Sequence, residues 1–172
     1  KILIKNKKEN KNLKLNFISN NFHSITKKRY VNSSYRKLFE EYLLEGEKFY
    51  NDKKILNNLK NIKKFDLVLI SDFGHGLMTS KLINFVSKNA KFLCVNAQTN
   101  SENRGYNFIT KYKKTNYVCI DKKELELSMS DRYSETKNLI DKLIKIIKVN
   151  LISITLGKDG IEIYEKNKKN MN

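Results

Sequence analysis

From residue 65 onward, short apolar runs alternate with segments whose apolar residues recur at helical spacing. This pattern limits the available folds more than any other feature of the chain. The runs at 67–71, 91–96, 116–120 and 151–156 are five or six residues long, suited to strands buried on both faces. Between them, Leu82, Ile83, Phe85 and Val86 predict a helix over 79–88. Leu139, Ile140, Leu143, Ile144 and Ile147 predict another over 134–148. Strands alternating with amphipathic helices build βαβ units, and hence an α/β fold around a mostly parallel sheet flanked by helices. A last strand is expected at 161–165, after the turn 157–160. Upstream, 13–18, 25–31 and 37–44 read as short strands, and Phe49, Ile55, Leu56, Leu59 and Ile62 place a helix within 47–65.

Ligands of such sheets bind beyond the carboxyl ends of the strands. Four polar clusters fall there: 71–76, 96–100, 121–124 and 157–160. Glycine usage points the same way. The chain has six glycines and no proline, against about twelve glycines at average usage. Four of the six (Gly74, Gly76, Gly157 and Gly160) sit in two of these clusters, where positive φ or close backbone approach to a ligand would require them.

Composition narrows the classes. A length of 172 residues suits one domain with a real core. No apolar run approaches the roughly 18 residues of a membrane helix, and the start is too short in apolar residues for a secretory signal. Cys94 and Cys119 lie inside strand-like runs without metal-ligand spacing, so they read as buried thiols of a reducing compartment, the cytoplasm. The net charge of +17 invites a nucleic-acid reading. Against it, only four of the 35 basic residues are arginines, the side chain suited to bidentate phosphate and base contacts.

Each cluster has a structural and a functional reading. Asp72-Phe73-Gly74 matches the metal-binding triplet of protein kinases, but the other segments of that signature are absent. The run Thr155, Gly157, Lys158, Gly160 fits either a hairpin turn or a loop whose amides face a phosphate. Asp121 and Glu124, at i and i+3, fit a capping box or a carboxylate pair organising Mg2+ and its waters. Lys27 and Arg29 alternate on a strand and so share a face, either as solvated cations or as a grip on a phosphorylated substrate. His75 stands between two glycines, and Asn96, Gln98 and Asn100 follow a strand end where sugar hydroxyls could be bound.

Taken in order, 25–42, 65–78, 92–112, 117–131 and 151–165 resemble the ribokinase-like (PfkB) carbohydrate kinase family. The resemblance is nearest the heptose-7-phosphate kinase (ADP-heptose synthase-like) branch and runs from about residue 13 to 165. It implies a ribokinase-like fold, with 13–45 as a small β lid covering the substrate and 46–172 as part of the α/β core. It also implies ATP-dependent phosphorylation of a sugar or sugar-phosphate hydroxyl with Mg2+. On this resemblance Thr155, Gly157, Lys158 and Gly160 belong to the nucleotide side, and Asp121 and Glu124 occupy the Asn-x-x-Glu place that organises Mg2+. Lys27, Arg29, Asp72, Gly74, His75, Asn96 and Gln98 fall on the substrate side.

Asp121 for Asn, and Asn96 and Gln98 in place of an Asp-Pro-Lys, are departures that leave metal role and sugar open. The family's Gly-Ala-Gly-Asp segment, which carries the catalytic base, has no counterpart here, so no catalytic residue is assigned. The expectation is a kinase domain incomplete at both ends and inactive by itself, since neither base nor anion hole is present. Implied partners are ATP, a sugar or sugar phosphate, a second copy through the lid, or a fused or separate nucleotidyltransferase domain, with no membrane among them. The competing readings are a non-catalytic sugar- or nucleotide-binding module and a basic nucleic-acid binder.

Overall fold

The computed structural model describes residues 12–18, 25–43, 51–99, 103 and 105–166. Phe49, Asn100 and His23 lie outside them. The chain divides into two units, Lys1–Phe49 and Tyr50–Asn172.

In the first unit, β1 (Thr26–Val31) and β2 (Lys37–Leu43) pair antiparallel, Lys27 opposite Tyr42 and Arg29 opposite Glu40. The turn is held by the Asn32 side chain, whose Oδ1 accepts from the Ser34 and Arg36 amides. On one face Tyr30 stacks on Phe39, ring centroids 4.2 Å apart. Residues 13–18, expected as a strand, are not one. Leu13, Leu15 and Phe17 alternate as a strand would, but a strand needs a neighbour to take its backbone hydrogen bonds, and none pairs with it among the described residues.

The second unit is a five-stranded sheet in the order β3 (Val68–Asp72), β4 (Leu93–Ala97), β5 (Tyr117–Asp121), β6 (Leu151–Thr155), β7 (Ile161–Glu165). The first four strands are parallel and β7 returns antiparallel to β6. The long helix expected within 47–65 is instead α1 (Asp52–Asn58) plus a 3-10 turn at Ile62–Lys64. It is followed by α2 (Ser80–Asn89), α3 (Lys122–Met129) and α4 (Thr136–Ile146).

Because β3 to β6 advance in one direction, right-handed crossovers bring every connection back over the same face of the sheet. The core agrees: Ile70, Val95, Val118 and Ile152 share that face by register, buried with Ile83, Val86, Leu125, Leu139 and Leu143 from the helices. On the other face Leu69 is 68% exposed and Ile163 54% exposed. The helices flank the sheet on one side among the described residues. A Thr79 cap starts α2, its Oγ1 accepting from the Leu82 amide and donating to Asp52 on α1.

Candidate functional site

The carboxyl ends of β3 and β4 are locked together by a buried polar network. Asp72, the last residue of β3, is 4% exposed. Its Oδ1 accepts from the Gly74 amide at 2.9 Å, and Oδ2 accepts from the Tyr112 hydroxyl at 2.7 Å and pairs with Lys111 Nζ at 2.6 Å. Lys111 also donates to Asn107 Oδ1 at 2.5 Å. The Asn107 amide spans the two loops, giving its hydrogens to the carbonyls of Asp72 and Gln98, each at 3.0 Å. Asn103 does the same one step out, donating to the carbonyls of Phe73 at 2.7 Å and Gln98 at 3.2 Å. A carboxylate this buried requires such pairing. Burial, with the Asp72 charge second, pushes the Tyr112 phenol well above its ordinary value.

This geometry explains the first glycine cluster. Gly74 has φ +73° and Gly76 φ +82°, both left-handed. At Gly74 a Cβ would also meet the side chains of Asn103 and Asn107. The loop is folded inward onto Asp72, with His75 half-buried between its glycines and its ring parallel to that of Phe73. Asp72 therefore shapes from beneath the loop that the sequence reading put on the substrate side.

Asn96 and Asp72 point to opposite faces, since Ser71 and Asn96 are in register one residue earlier. Asn96 Nδ2 donates to the Cys119 carbonyl at 2.8 Å, bridging β4 to β5 where their regular pairing has ended. Gln98 has an exposed side chain, and its backbone is what the two asparagines hold.

Asp121 and Glu124 form a capping box on α3. Asp121 Oδ1 accepts from the Glu124 amide at 2.7 Å, and Glu124 Oε2 accepts from the Asp121 amide at 2.9 Å. Glu124 Oε1 takes the Thr99 amide at 2.8 Å, tying the β4 loop to the same corner. Burial raises the Glu124 pKa, opposed by those two amides. Among the described residues no group of three or more potential metal ligands gathers. The pair does not make a protein cage for a cation. It fits a hydrated Mg2+, which keeps several waters and takes one or two carboxylates alongside phosphates. A cleft of about 850 Å3 opens beside the pair, reaching Thr99, Phe108 and Arg132. Arg132 is exposed and has no ion pair among the described residues. The sequence reading had no role for it, its one signal being the rarity of arginine.

Thr155 lies in register with Asp121 on β5, so the two final clusters are neighbours at the strand ends. The loop after it is a hairpin closed by a 3-10 turn at Gly157–Asp159, with the Leu156 amide donating to the Gly160 carbonyl at 2.8 Å. Gly157 (φ +64°) and Gly160 (φ +94°) are required by backbone conformation, and a Cβ at either would meet open space. Lys158 is exposed at the tip.

In the first unit, Lys27 and Arg29 do share a face, but with Glu40. Lys27 Nζ lies 2.9 Å from Oε1 and Arg29 Nε 2.9 Å from Oε2. Lys27 also donates to the Tyr42 hydroxyl. The Lys27 and Arg29 hydrogen bonds hold the Glu40 carboxyl down to about 2. With Lys37 at 3.9 Å, three cations surround one carboxylate, leaving a net positive cluster.

A mostly parallel sheet with its glycine loops at the carboxyl ends, and a separate two-stranded antiparallel ribbon, define a ribokinase-like α/β protein. Solved structures share this fold: ribokinase from Giardia lamblia (TM-score 0.66, 16% identity, 96% of this chain and 52% of that one) and Arabidopsis thaliana ribokinase complexed with ribose and ATP (TM-score 0.59, 12% identity, 87% and 48%). A putative sugar kinase from Clostridium perfringens is a further case (TM-score 0.56, 11% identity, 83% and 44%). In sequence, the chain is 31% identical over 163 residues to the bifunctional protein HldE of Aliarcobacter butzleri, covering 87% of this chain and 32% of that protein. It is 27% identical over 124 residues to the bifunctional protein HldE of Helicobacter hepaticus, covering 67% and 25%. No family model matches the chain. Together these likenesses support a place for the chain in the ribokinase-like carbohydrate kinase family, near the HldE branch. It spans about a third or less of the length of these curated relatives.

Proposed function

We propose that this chain supplies part of a kinase domain that transfers a phosphoryl group from ATP to a sugar or sugar phosphate, a heptose phosphate being the acceptor class suggested by the HldE relatives. One observation carries the reading: the Gly74 loop, Gln98, the Asp121–Glu124 pair and the Thr155–Gly160 hairpin all converge at the carboxyl ends of four adjacent strands. That edge is where open α/β sheets bind ligands.

In this proposal Gly74, His75 and Gln98 face the sugar, with Asp72 holding their loop in place. Asn96 contributes from the opposite face of β4. Thr155, Gly157, Lys158 and Gly160 receive the nucleotide, the left-handed glycines letting backbone amides approach phosphate. Mg2+, held through waters at Asp121 and Glu124, would neutralise the charge on the transferring phosphates. Lys27 and Arg29 grip an acceptor phosphate, which would have to compete with Glu40 for both cations.

The 172 residues contain no Gly-Ala-Gly-Asp segment, so proton removal from the acceptor hydroxyl needs a base from outside this sequence. A second copy meeting the β1–β2 ribbon, or a nucleotidyltransferase domain, would complete the assembly, in the cytoplasm where Cys94 and Cys119 stay reduced.

Isothermal calorimetry of the chain with ATP and Mg2+, then with heptose and pentose phosphates, tests the proposal. Binding of both ligands without turnover is expected, with turnover gained when the chain is extended through the missing segment. Absence of nucleotide binding to the extended protein overturns it.

A further inference from the structure

The lysines of the second unit are sorted by the fold. The segments at the amino ends of the parallel strands (59–67, 90–92, 113–116 and 147–150) carry seven lysines and one carboxylate. The carboxyl-end segments at 71–79, 96–99, 105–112, 121–124 and 156–160 carry four lysines balanced by four carboxylates. A uniform compositional bias would load both ends alike, so the asymmetry is a property of this fold.

Backbone bonds stitch the amino-end segments into one continuous rim. The Val68 amide donates to the Phe92 carbonyl at 2.9 Å, that of Asn116 to Leu93 at 2.9 Å, and that of Lys148 to Lys113 at 2.8 Å. Lys63, Lys64, Lys113, Lys114 and Lys148 are exposed along this rim and have no ion pair among the described residues. Lys91 is paired with Asp66, the rim's one carboxylate. Set among them are exposed apolar side chains, Phe65 at 60% and Leu67 at 54%, with Phe92 beside them.

We propose that this rim docks on an anionic lipid bilayer. Cations gather at a negative bilayer surface through diffuse attraction, for which lysine point charges serve without arginine's bidentate geometry. Apolar side chains among them gain by entering the boundary between headgroups and acyl chains. A nucleic acid would draw on the lysines and could stack bases on the phenylalanines, but it has no use for exposed Leu67. The rim lies at the end of the sheet opposite the proposed ligand edge, so docking would leave that edge facing away from the bilayer. The inference stands independently of the kinase reading.

The test is co-sedimentation of the chain with phosphatidylcholine vesicles, with and without phosphatidylglycerol at about 30%. Binding is expected only with the anionic lipid, falling as salt rises from about 0.1 M to about 0.5 M. Reversing four rim charges (K63E, K64E, K113E, K114E) is expected to weaken binding more than tenfold. Phe65→Ser should weaken it several-fold at constant charge, and Lys137→Glu on α4 should leave it within about twofold. Circular dichroism melts establish that each variant is folded. Equal losses from rim and α4 reversals, or tighter binding to a single-stranded RNA homopolymer than to anionic vesicles at equal salt, would overturn the proposal.

Discussion

Gly74 and Asn103 meet so closely that a Cβ on Gly74 would lie 2.1 Å from the Asn103 amide nitrogen. The Asn107 Cβ would be 2.8 Å away, and Gly74 is left-handed at φ +73°. Asn103 could swing aside, but only by abandoning the carbonyls of Phe73 and Gln98. Gly74→Ala is therefore expected to cost about 1–3 kcal/mol, read by urea denaturation. Gly157→Ala, with the same backbone demand and open space around it, should cost only about 1 kcal/mol. Equal costs would show that the close approach contributes nothing.

Tyr112 and Lys111 converge on one oxygen of Asp72. Tyr112→Phe removes a hydroxyl while leaving the lysine, with an expected loss of about 1–2 kcal/mol. Asp72→Ala leaves the buried Tyr112 phenol without its partner and takes the counter-charge from Lys111, which keeps only Asn107, and should cost about 3–5 kcal/mol. In the double variant the losses should be less than additive, which a double-mutant cycle by thermal melting measures.

Asp121 caps α3, and the Mg2+ role proposed for it can be tested separately. Asp121→Asn retains an N-cap oxygen, so stability should change by less than about 0.5 kcal/mol, whereas Asp121→Ala should lose about 1 kcal/mol. If the carboxylate also organises Mg2+, Asp121→Asn will alter Mg2+-dependent nucleotide binding while the melting temperature stays put. A change in melting temperature alone restricts the residue to capping.

The ribbon makes a pH prediction. The folded-state pKa of Glu40 is lowered to about 2 by Lys27 and Arg29. A depressed carboxylate contributes stability that is present above its ordinary value near 4.5 and is lost as pH falls through about 2. Carbon-detected titration should find Glu40 ionised at pH 3. In Lys27→Met its midpoint should move up toward the ordinary carboxylate value.

The two faces of the sheet should respond oppositely. Ile152→Ala, fully buried on the helix-covered face, is expected to cost about 2–5 kcal/mol. Leu69→Ser on the exposed face should stay within about 0.5 kcal/mol. A large loss at Leu69 in a longer form of the protein would show that further polypeptide covers that face.

The strands and the helices α2 and α4 were legible because burial on a regular element leaves a periodic record. Leu82, Ile83 and Val86 on α2 are all buried where their spacing put them. The first strand expected at 13–18 failed because alternation specifies a face but supplies no partner. Asn103 and Asn107 gave no signal, since asparagine is abundant throughout the chain and only its neighbours in space give these two their roles.

By itself, the order of short apolar runs and amphipathic segments determined a parallel α/β sheet and put its polar clusters at the carboxyl ends. Both follow from local periodicity and chain direction. Which cluster residues face one another was decided only by tertiary structure. Side chains alternate along each strand, so register sent Asp72 into the core side and Asn96 to the other, and burial then turned Asp72 into an anchor. The same packing gathered lysines that are scattered in sequence along one rim of the sheet. Charge separation of that kind belongs to loops brought together in space, and no stretch of the sequence contains it.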